Sequence, residues 1–277
     1  MKTVTLPSGE RVPALGQGTW QMAAERSRRS EEIATLRLGL DLGLTLIDTA
    51  EMYGEGAVEE LIGEAIAGRR DEAFIVSKVY PHNASRAGVA AACERSLKRL
   101  RTDRIDLYLL HWRGGAKLAE TVEGFVALQK AGKIRHYGVS NFDTADMEEL
   151  WALPGGPATA TNQVLYNLVR RGIERELRPW CREHRVPLMA YSPIEQAKLA
   201  GDAKLADFAK RHGMTAAQAA LGWLLASDDV MVIPKTGRRE RLRENLGALE
   251  RPLSAAQLAE LDRLFPAPAG ARPLEMI

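Results

Sequence analysis

Residues 105–112 read IDLYLLHW, and this stretch decides how the chain folds. Residues 107–110 are apolar without interruption, instead of at every second position. A continuous apolar run is typical of a strand that is buried on both faces of a parallel sheet. The run Phe74-Ile75-Val76 has the same character, so we expect helices to cover the sheet on the outside.

Strand-like runs of this kind recur along the chain, and the segments between them have helical spacing. Val58, Leu61, Ile62 and Ala65, for example, form an i, i+3, i+4 stripe that fits one face of a helix. The eight predicted strands are 14–20, 44–50, 74–79, 105–112, 136–141, 161–166, 187–192 and 230–235.

Eight strand-then-helix units in 277 residues favour an α/β fold, a (β/α)8 TIM barrel, which needs roughly 250 residues. A doubly wound sheet usually has a G-x-G-x-x-G turn, which the chain lacks. Residues 3–12, with the turn Pro7-Ser8-Gly9, predict a β-hairpin before the barrel, and Leu258, Leu261 and Leu264 predict a last helix before a Pro/Ala tail. No linker interrupts the pattern, so we predict one domain over residues 1–277.

Charge and composition restrict the possible partners. The 38 Lys and Arg residues nearly balance 36 Asp and Glu, which leaves a net charge of +2. This balance predicts neither a nucleic-acid partner nor a membrane surface. Cys93 and Cys181 are far apart and not in a C-x-x-C pair, so we expect no metal site, no disulfide and a cytoplasmic location. We also expect no export signal, no membrane span and a monomer.

Ionisable side chains end three consecutive predicted strands: Asp48, Lys78 and His111. The strands of a parallel barrel all end at the same face, and adjacent strands lie about 4.8 Å apart. Tyr53 lies on the loop that follows Asp48. Each residue alone has another explanation, such as a turn cap, a solvated strand end, a core histidine or loop packing. Together they predict an active site.

The chemistry of these four residues suits carbonyl reduction. An ammonium at Lys78 stabilises a Tyr53 phenolate and so lowers the phenol pKa, and Asp48 keeps Lys78 charged. Neutral His111 can orient a carbonyl oxygen with its N–H. The set provides a general acid without a nucleophile, so a cofactor has to deliver the hydride.

The sequence resembles the aldo-keto reductase family, whose barrel carries an Asp, Tyr, Lys and His tetrad in this order. The resemblance extends from Gly18-Thr19-Trp20 to about residue 250. The matching motifs are Asp48-Thr49-Ala50-Glu51-Met52-Tyr53, Lys78, Leu110-His111-Trp112, Gly138-Val139-Ser140-Asn141-Phe142, Asn162-Gln163, Ala190-Tyr191-Ser192-Pro193 and Ile233-Pro234-Lys235-Thr236, with Arg241, Glu244 and Asn245.

This resemblance implies an NADPH-dependent carbonyl reductase with Asp48, Tyr53, Lys78 and His111 as catalytic residues and Tyr53 as proton donor. It places Ser140, Asn141 and Gln163 at the nicotinamide carboxamide and Tyr191 on the ring. Ser192 and Ile194 are implied at the pyrophosphate and Pro193 elsewhere in the cofactor site, Lys235, Thr236 and Arg241 at the 2′-phosphate, and Glu244 and Asn245 at the adenine. Gly18, Thr19 and Trp20 complete the implied cofactor site, and Trp20, Tyr80, Trp112 and Arg113 the substrate site.

Physical chemistry independently favours the phosphate assignment, because Lys235 ends the eighth strand and arginines at 238, 239 and 241 open the next helix. A solvated basic helix start is the alternative explanation.

Three departures from the family pattern lead to further expectations. Glu195 is unfavourable beside a diphosphate unless it points at Lys198 or Lys235, so we expect a loose clamp on the cofactor. Arg113 replaces a common proline and could pair with an anionic substrate, although an exposed loop arginine is an equally good explanation. A short tail predicts a shallow, open pocket, and hence small activated carbonyls such as dicarbonyls or sugar-derived carbonyls.

Two other functions remain open from the sequence. The chain could be an NADPH-binding auxiliary subunit with little turnover, although the intact set of four residues argues against this. It could also be a barrel hydrolase or isomerase that uses Asp48 and His111 without nicotinamide.

Overall fold

The computed structural model describes residues 1–277 and contains an eight-stranded parallel sheet behind a short antiparallel hairpin. The hairpin strands are β1 (Thr3–Thr5) and β2 (Arg11–Pro13). The sheet strands are β3 (Gln17–Gly18), β4 (Leu46–Asp48), β5 (Phe74–Val79), β6 (Ile105–Leu110), β7 (Ile134–Ser140), β8 (Asn162–Leu165), β9 (Leu188–Tyr191) and β10 (Val230–Val232).

The sheet strands lie side by side in chain order, and the first one meets the last. The Gly16 N–H donates to the Val232 carbonyl at 2.8 Å, and the Val232 N–H donates to the Ala14 carbonyl at 2.7 Å. The sheet therefore closes on itself as a (β/α)8 barrel, which confirms the predicted fold class and hairpin. The first strand is shorter than predicted, because only Gln17 and Gly18 pair with β4.

Ten helices follow in chain order, and most of them surround the barrel. They are α1 (Arg29–Asp41), α2 (Ala57–Ala65), α3 (Arg86–Leu100), α4 (Leu118–Lys130), α5 (Thr144–Trp151), α6 (Leu177–Glu183), α7 (Ala203–Arg211), α8 (Ala216–Leu225), α9 (Arg239–Glu250) and α10 (Ala255–Leu264). Side chains at Ser85, Thr215 and Ser254 accept N–H bonds of the first turns and so fix where α3, α8 and α10 begin. None of these helices is long and apolar enough to span a bilayer.

The core explains why the strand runs are continuously apolar. Every residue of β5 and β6 is buried, with side chains facing both the barrel interior and the surrounding helices. Polar buried residues occur at the carboxyl ends of the strands, where Asp48 and Lys78 are 2% and 0% exposed. Asp48 and Lys78 thus lie buried side by side at one end of the barrel.

After α10, the tail (residues 266–277) returns across the carboxyl face of the barrel. Arginines of the loop that follows β8 hold this path: Arg171 donates to the Phe265 carbonyl at 2.7 Å, and Arg175 donates to the Pro268 carbonyl at 3.2 Å. Leu274 packs against the core. The tail is therefore tied down over the face at which the site was predicted.

Candidate active site

Asp48 and Lys78 form a buried ion pair at the carboxyl ends of β4 and β5. The Lys78 Nζ lies 2.9 Å from the Asp48 carboxylate and also donates to the Thr49 carbonyl at 2.7 Å. Burial disfavours the Lys78 charge, but Asp48 and Tyr53 outweigh that effect and raise the lysine pKa. Lys78 thus stays an ammonium at neutral pH.

Tyr53 approaches this ammonium from the loop after β4. Its hydroxyl lies 3.3 Å from the Lys78 Nζ, which is also 4.9 Å from the ring centroid. Burial raises the pKa of Tyr53, while the Lys78 charge acts in the opposite direction and lowers it. The net direction differs from the lowered pKa expected from the sequence, because burial of the hydroxyl is the larger effect. Tyr53 therefore holds its proton at neutral pH.

His111 follows β6 directly and lies beside Tyr53, with ring centroids 6.0 Å apart. Burial, assisted by the Lys78 charge, lowers the pKa of His111 to about 2. Its Nδ1 is buried without a hydrogen-bond partner. His111 is thus a neutral imidazole, as expected from the sequence. We call Asp48, Tyr53, Lys78 and His111 the polar cluster.

A cavity of about 470 Å³ opens over the polar cluster and brings most of the predicted site residues together. The predicted residues that line it are Gly18, Thr19, Trp20, Asp48, Tyr53, His111, Trp112, Ser140, Asn141, Gln163, Tyr191, Ser192, Pro193, Ile194 and Lys235. Lys78 lies behind Tyr53 and Asp48 instead of in the wall.

Seven residues of the cavity wall were missed from the sequence: Gln21, Met52, Gln196, Ala197, Ile233, Met276 and Ile277. Met52 and Ile233 belong to the motifs that resemble the family, next to Tyr53 and two positions before Lys235, so their positions were a usable signal. Met276 and Ile277 belong to the tail, and nothing in their local sequence indicates that they return to the site. The expected open pocket is thus partly walled by the tail.

Polar side chains on one side of the cavity are already connected to each other. The Tyr191 hydroxyl donates to the Asn141 side-chain oxygen at 3.0 Å, and the Asn141 amide donates to the His111 carbonyl at 3.1 Å. Ser140 donates to the Gln163 carbonyl at 2.9 Å. These residues form a fixed polar wall next to the aromatic face of Tyr191.

The residues present suit a nicotinamide dinucleotide. Tyr191 offers a ring for stacking, the Asn141 and Gln163 amides suit a carboxamide, and Lys235 supplies a cation elsewhere in the same wall. Burial lowers the Lys235 pKa, an effect that Glu32 opposes and Arg28 reinforces. The cavity thus offers groups that complement the nicotinamide ring, its carboxamide and a phosphate of the cofactor.

Besides Lys78, six predicted site residues lie outside the wall of the cavity: Tyr80, Arg113, Thr236, Arg241, Glu244 and Asn245. Tyr80 packs against Trp112, with ring centroids 5.2 Å apart. Thr236 caps a turn by accepting the Arg238 N–H at 3.1 Å. Arg241 pairs with Glu244 at 2.6 Å on the exposed start of α9, and Asn245 is buried one residue further.

Two charged residues, Arg113 and Glu195, have different partners from those expected from the sequence. Arg113 pairs with Glu149 of α5 at 2.8 Å, so its guanidinium is engaged by this protein's own carboxylate. Glu195 points at neither Lys198 nor Lys235: it is buried and pairs with Arg170 at 2.7 Å. The Glu195 carboxylate, expected beside a diphosphate, is thus paired with an arginine outside the cavity wall.

A closed parallel barrel with a proton-bearing tyrosine, a buried ammonium and a neutral imidazole around one cavity defines a barrel enzyme. Residues 14–265 match the model of the aldo/keto reductase family. The chain belongs to the aldo/keto reductase family, which confirms the resemblance drawn from its motifs.

Individual relatives agree with this assignment. The chain is 51% identical over 271 residues to methylglyoxal reductase YeaE of Escherichia coli (strain K12), a match that covers 96% of this chain and 95% of the relative. It is 34% identical over 265 residues to glyoxal reductase of Bacillus subtilis (strain 168), covering 95% and 92%.

Solved structures give the same result for the fold. An aldo/keto reductase from Klebsiella pneumoniae in complex with NADP and acetate matches with a TM-score of 0.97 and 48% identity, over 100% of this chain and 99% of that one. The Klebsiella pneumoniae aldo-keto reductase in complex with NADPH matches over the same shares at a TM-score of 0.96 and 48% identity.

Proposed function

We propose that this chain reduces small activated carbonyls, foremost dicarbonyls, to alcohols with NADPH. It is an NADP-dependent oxidoreductase, in agreement with the cofactor expected from the sequence and with the NADP and NADPH held by the Klebsiella structures. The observation that carries the proposal is the position of Tyr53, which lines the cavity and has its hydroxyl 3.3 Å from the Lys78 ammonium.

Tyr53 is the proton donor in this proposal. NADPH supplies the hydride when it is bound. As charge develops on the carbonyl oxygen, the Tyr53 hydroxyl transfers its proton, and the resulting phenolate is stabilised by the adjacent Lys78 ammonium. Asp48 holds that ammonium in place from the other side, at 2.9 Å. The Lys78 ammonium is thus already in place to stabilise the Tyr53 phenolate when the proton leaves.

His111 orients the carbonyl. A neutral imidazole donates one N–H, and a donor aimed at a developing oxyanion is worth more in a site sheltered from water than in solution. Because the His111 pKa is about 2, the ring does not compete with Tyr53 as an acid. Ser140, Asn141, Gln163 and Tyr191 would hold the nicotinamide end of the cofactor, and Lys235 a phosphate.

The size of the cavity and the identity of the relatives both support a small substrate. About 470 Å³ has to accommodate nicotinamide as well as the carbonyl compound, and Trp20, Trp112, Met276 and Ile277 restrict the rest. The matched relatives include a methylglyoxal reductase and a glyoxal reductase. The auxiliary-subunit alternative finds no support among these relatives.

A substrate panel followed by NADPH absorbance tests the proposal. We expect methylglyoxal and glyoxal to give a higher kcat/KM than bulky aromatic or steroid ketones. A steroid-sized ketone as the best substrate would contradict the size argument. NADPH binding without turnover of any carbonyl would favour an auxiliary subunit, and no tryptophan quenching by NADPH would favour a hydrolase or isomerase.

A further inference from the structure

Arg170 binds two carboxylates that come from distant parts of the chain. Its Nε and Nη2 donate to Oε1 of Glu195 at 3.0 and 2.7 Å. Its Nη1 donates to Oε1 of Glu275 at 2.6 Å. Arg170 lies on the loop after β8, and it is not itself part of the cavity wall. One guanidinium thus joins the segment after β9 to the tail.

Glu195 lies inside a segment that forms one wall of the cavity. We call residues 192–197 the clamp segment; all of its members except Glu195 line the cavity. Ser192, Glu195, Gln196 and Ala197 have φ values of 47°, 48°, 52° and 72°, a left-handed conformation that is costly for residues other than glycine. Contacts outside the segment have to hold this backbone in place.

The contacts available to Glu195 are few. Its side chain is only 6% exposed, and Asn167 donates to its Oε2 at 2.8 Å while Arg170 binds Oε1. A buried carboxylate that loses its cation retains an uncompensated charge and tends to move towards water. Glu195 lies in the chain between Ile194 and Gln196, which both line the cavity. A movement of Glu195 therefore displaces the clamp segment.

Glu275 holds the tail in the same way that Glu195 holds the clamp segment, through its ion pair with Arg170. It directly precedes Met276 and Ile277, which line the cavity. Both are largely exposed side chains, at 51% and 56%, so packing does little to position them. The ion pair with Arg170 is the last charged contact before these two residues.

We propose that Arg170 is a positioning residue that holds the clamp segment and the tail in register across the cavity, and thereby sets both NADPH affinity and the apparent affinity for the carbonyl. This rests on the proposed function, because the clamp segment would hold the cofactor and the tail the substrate. Arg170 touches neither reacting group, so it acts only through Glu195 and Glu275.

Hydrogen exchange of the protein without cofactor tests the first half of the proposal. Arg170→Gln should raise exchange in residues 192–197 and also in 271–277. Glu275→Gln should raise it in the tail alone, and Glu195→Gln in the clamp segment alone. These readouts require no turnover, so they remain decisive even if no carbonyl is reduced.

Binding and kinetics test the second half. A charge-assisted hydrogen bond corresponds to about tenfold or more in an equilibrium constant. Arg170→Gln should therefore raise the NADPH dissociation constant, measured by tryptophan quenching, and KM for methylglyoxal by about tenfold each, with kcat changed about twofold or less. Glu275→Gln should raise KM only. Arg170→Lys, a point charge that cannot bind both acids in the same fork geometry, should rescue one effect but not both.

Arg211→Gln is the matched control, because Arg211 likewise contacts two acids, Asp207 at 3.2 Å and Glu260 at 2.7 Å, away from the cavity. It should change thermal stability without changing NADPH affinity or KM. The proposal is overturned if Arg170→Gln leaves exchange, NADPH affinity and KM at the values of Arg211→Gln. It is also overturned if Glu275→Gln loosens the clamp segment as much as the tail.

Discussion

The Gln163 side chain donates to Oδ1 of Asp48 at 2.7 Å, directly across the barrel. Gln163 belongs to β8 and Asp48 to β4, and three strands separate them in either direction round the closed sheet. The carboxylate that holds Lys78 is thus fixed from both sides of the barrel. The Gln163 amide, expected from the family to meet the cofactor, thus also orients Asp48, which holds Lys78 beside the proposed proton donor Tyr53.

Tyr53→Phe should remove the transferable proton and leave the ring in place. Turnover should fall by roughly 10²–10⁴-fold, the usual contribution of general acid catalysis. NADPH binding, followed by tryptophan quenching, should stay nearly unchanged. Wild-type turnover in this variant would exclude Tyr53 as the acid.

The pH profile should lack a histidine inflection. The His111 pKa is lowered to about 2, so the imidazole stays neutral from pH 5 to pH 8. Burial raises the Tyr53 pKa above its ordinary value of 10, and a phenolate cannot donate a proton. Carbonyl reduction should therefore be level through neutral pH and fall only in alkaline solution. An inflection of kcat near pH 6.5 that His111→Gln abolishes would contradict this assignment.

Arg113→Ala should affect neutral and anionic carbonyls equally. The guanidinium binds Glu149 at 2.8 Å and lies outside the cavity wall, so it is not positioned to contact a substrate. The measurement is the ratio of KM values for methylglyoxal and for an acid aldehyde. A selective loss for the acid aldehyde would restore the substrate role considered from the sequence.

Arg241→Ala should weaken NADPH by about 10- to 100-fold, the range expected for a charged hydrogen bond to a phosphate. NADH should bind nearly as before, because it lacks the 2′-phosphate. Arg241 is exposed and pairs only with Glu244, so it is free to turn to a phosphate. Equal use of NADPH and NADH by the wild type would refute the proposed contact between Arg241 and the 2′-phosphate.

Asp229→Asn should lower the stability of the fold at neutral pH. Burial raises the Asp229 pKa, but Arg182 and Arg178 outweigh it and lower the value to about 2. A lowered pKa means that the stabilisation is present above the unfolded value of 3.8 and disappears as the pH falls towards 2. We expect a loss of about 2 kcal/mol at pH 7 by chemical denaturation. Near pH 2 the variant and the wild type should converge.

Some of this architecture could be predicted from the sequence because it depends on local patterns. Continuous apolar runs identified the barrel, and the residues that end β4, β5 and β6 identified three members of the polar cluster. The direction of the Tyr53 pKa could not be predicted, because it depends on how deeply the hydroxyl is buried. The number of domains, the monomeric state and the cytoplasmic location stay predictions.

The contacts that were missed join residues far apart in the chain. Arg170 and Glu275 are separated by 105 positions, and neither side chain has a local pattern that indicates the other. Arg113 was placed correctly at the end of β6, but its partner Glu149 lies on another element. Such pairings follow from the tertiary path and are not encoded in spacing.

The position at which the sheet closes affects how this protein folds during its synthesis. The closing bridges join Leu15 to Val232 and Gly18 to Lys235, so the two edges are more than 200 residues apart in the chain. Before β10 has been synthesised, any sheet that the seven preceding strands form lacks this closure and has two unpaired edges. Nascent chains thus remain prone to edge-to-edge association until the eighth strand emerges, and a chaperone that shields those edges would raise the yield of folded enzyme.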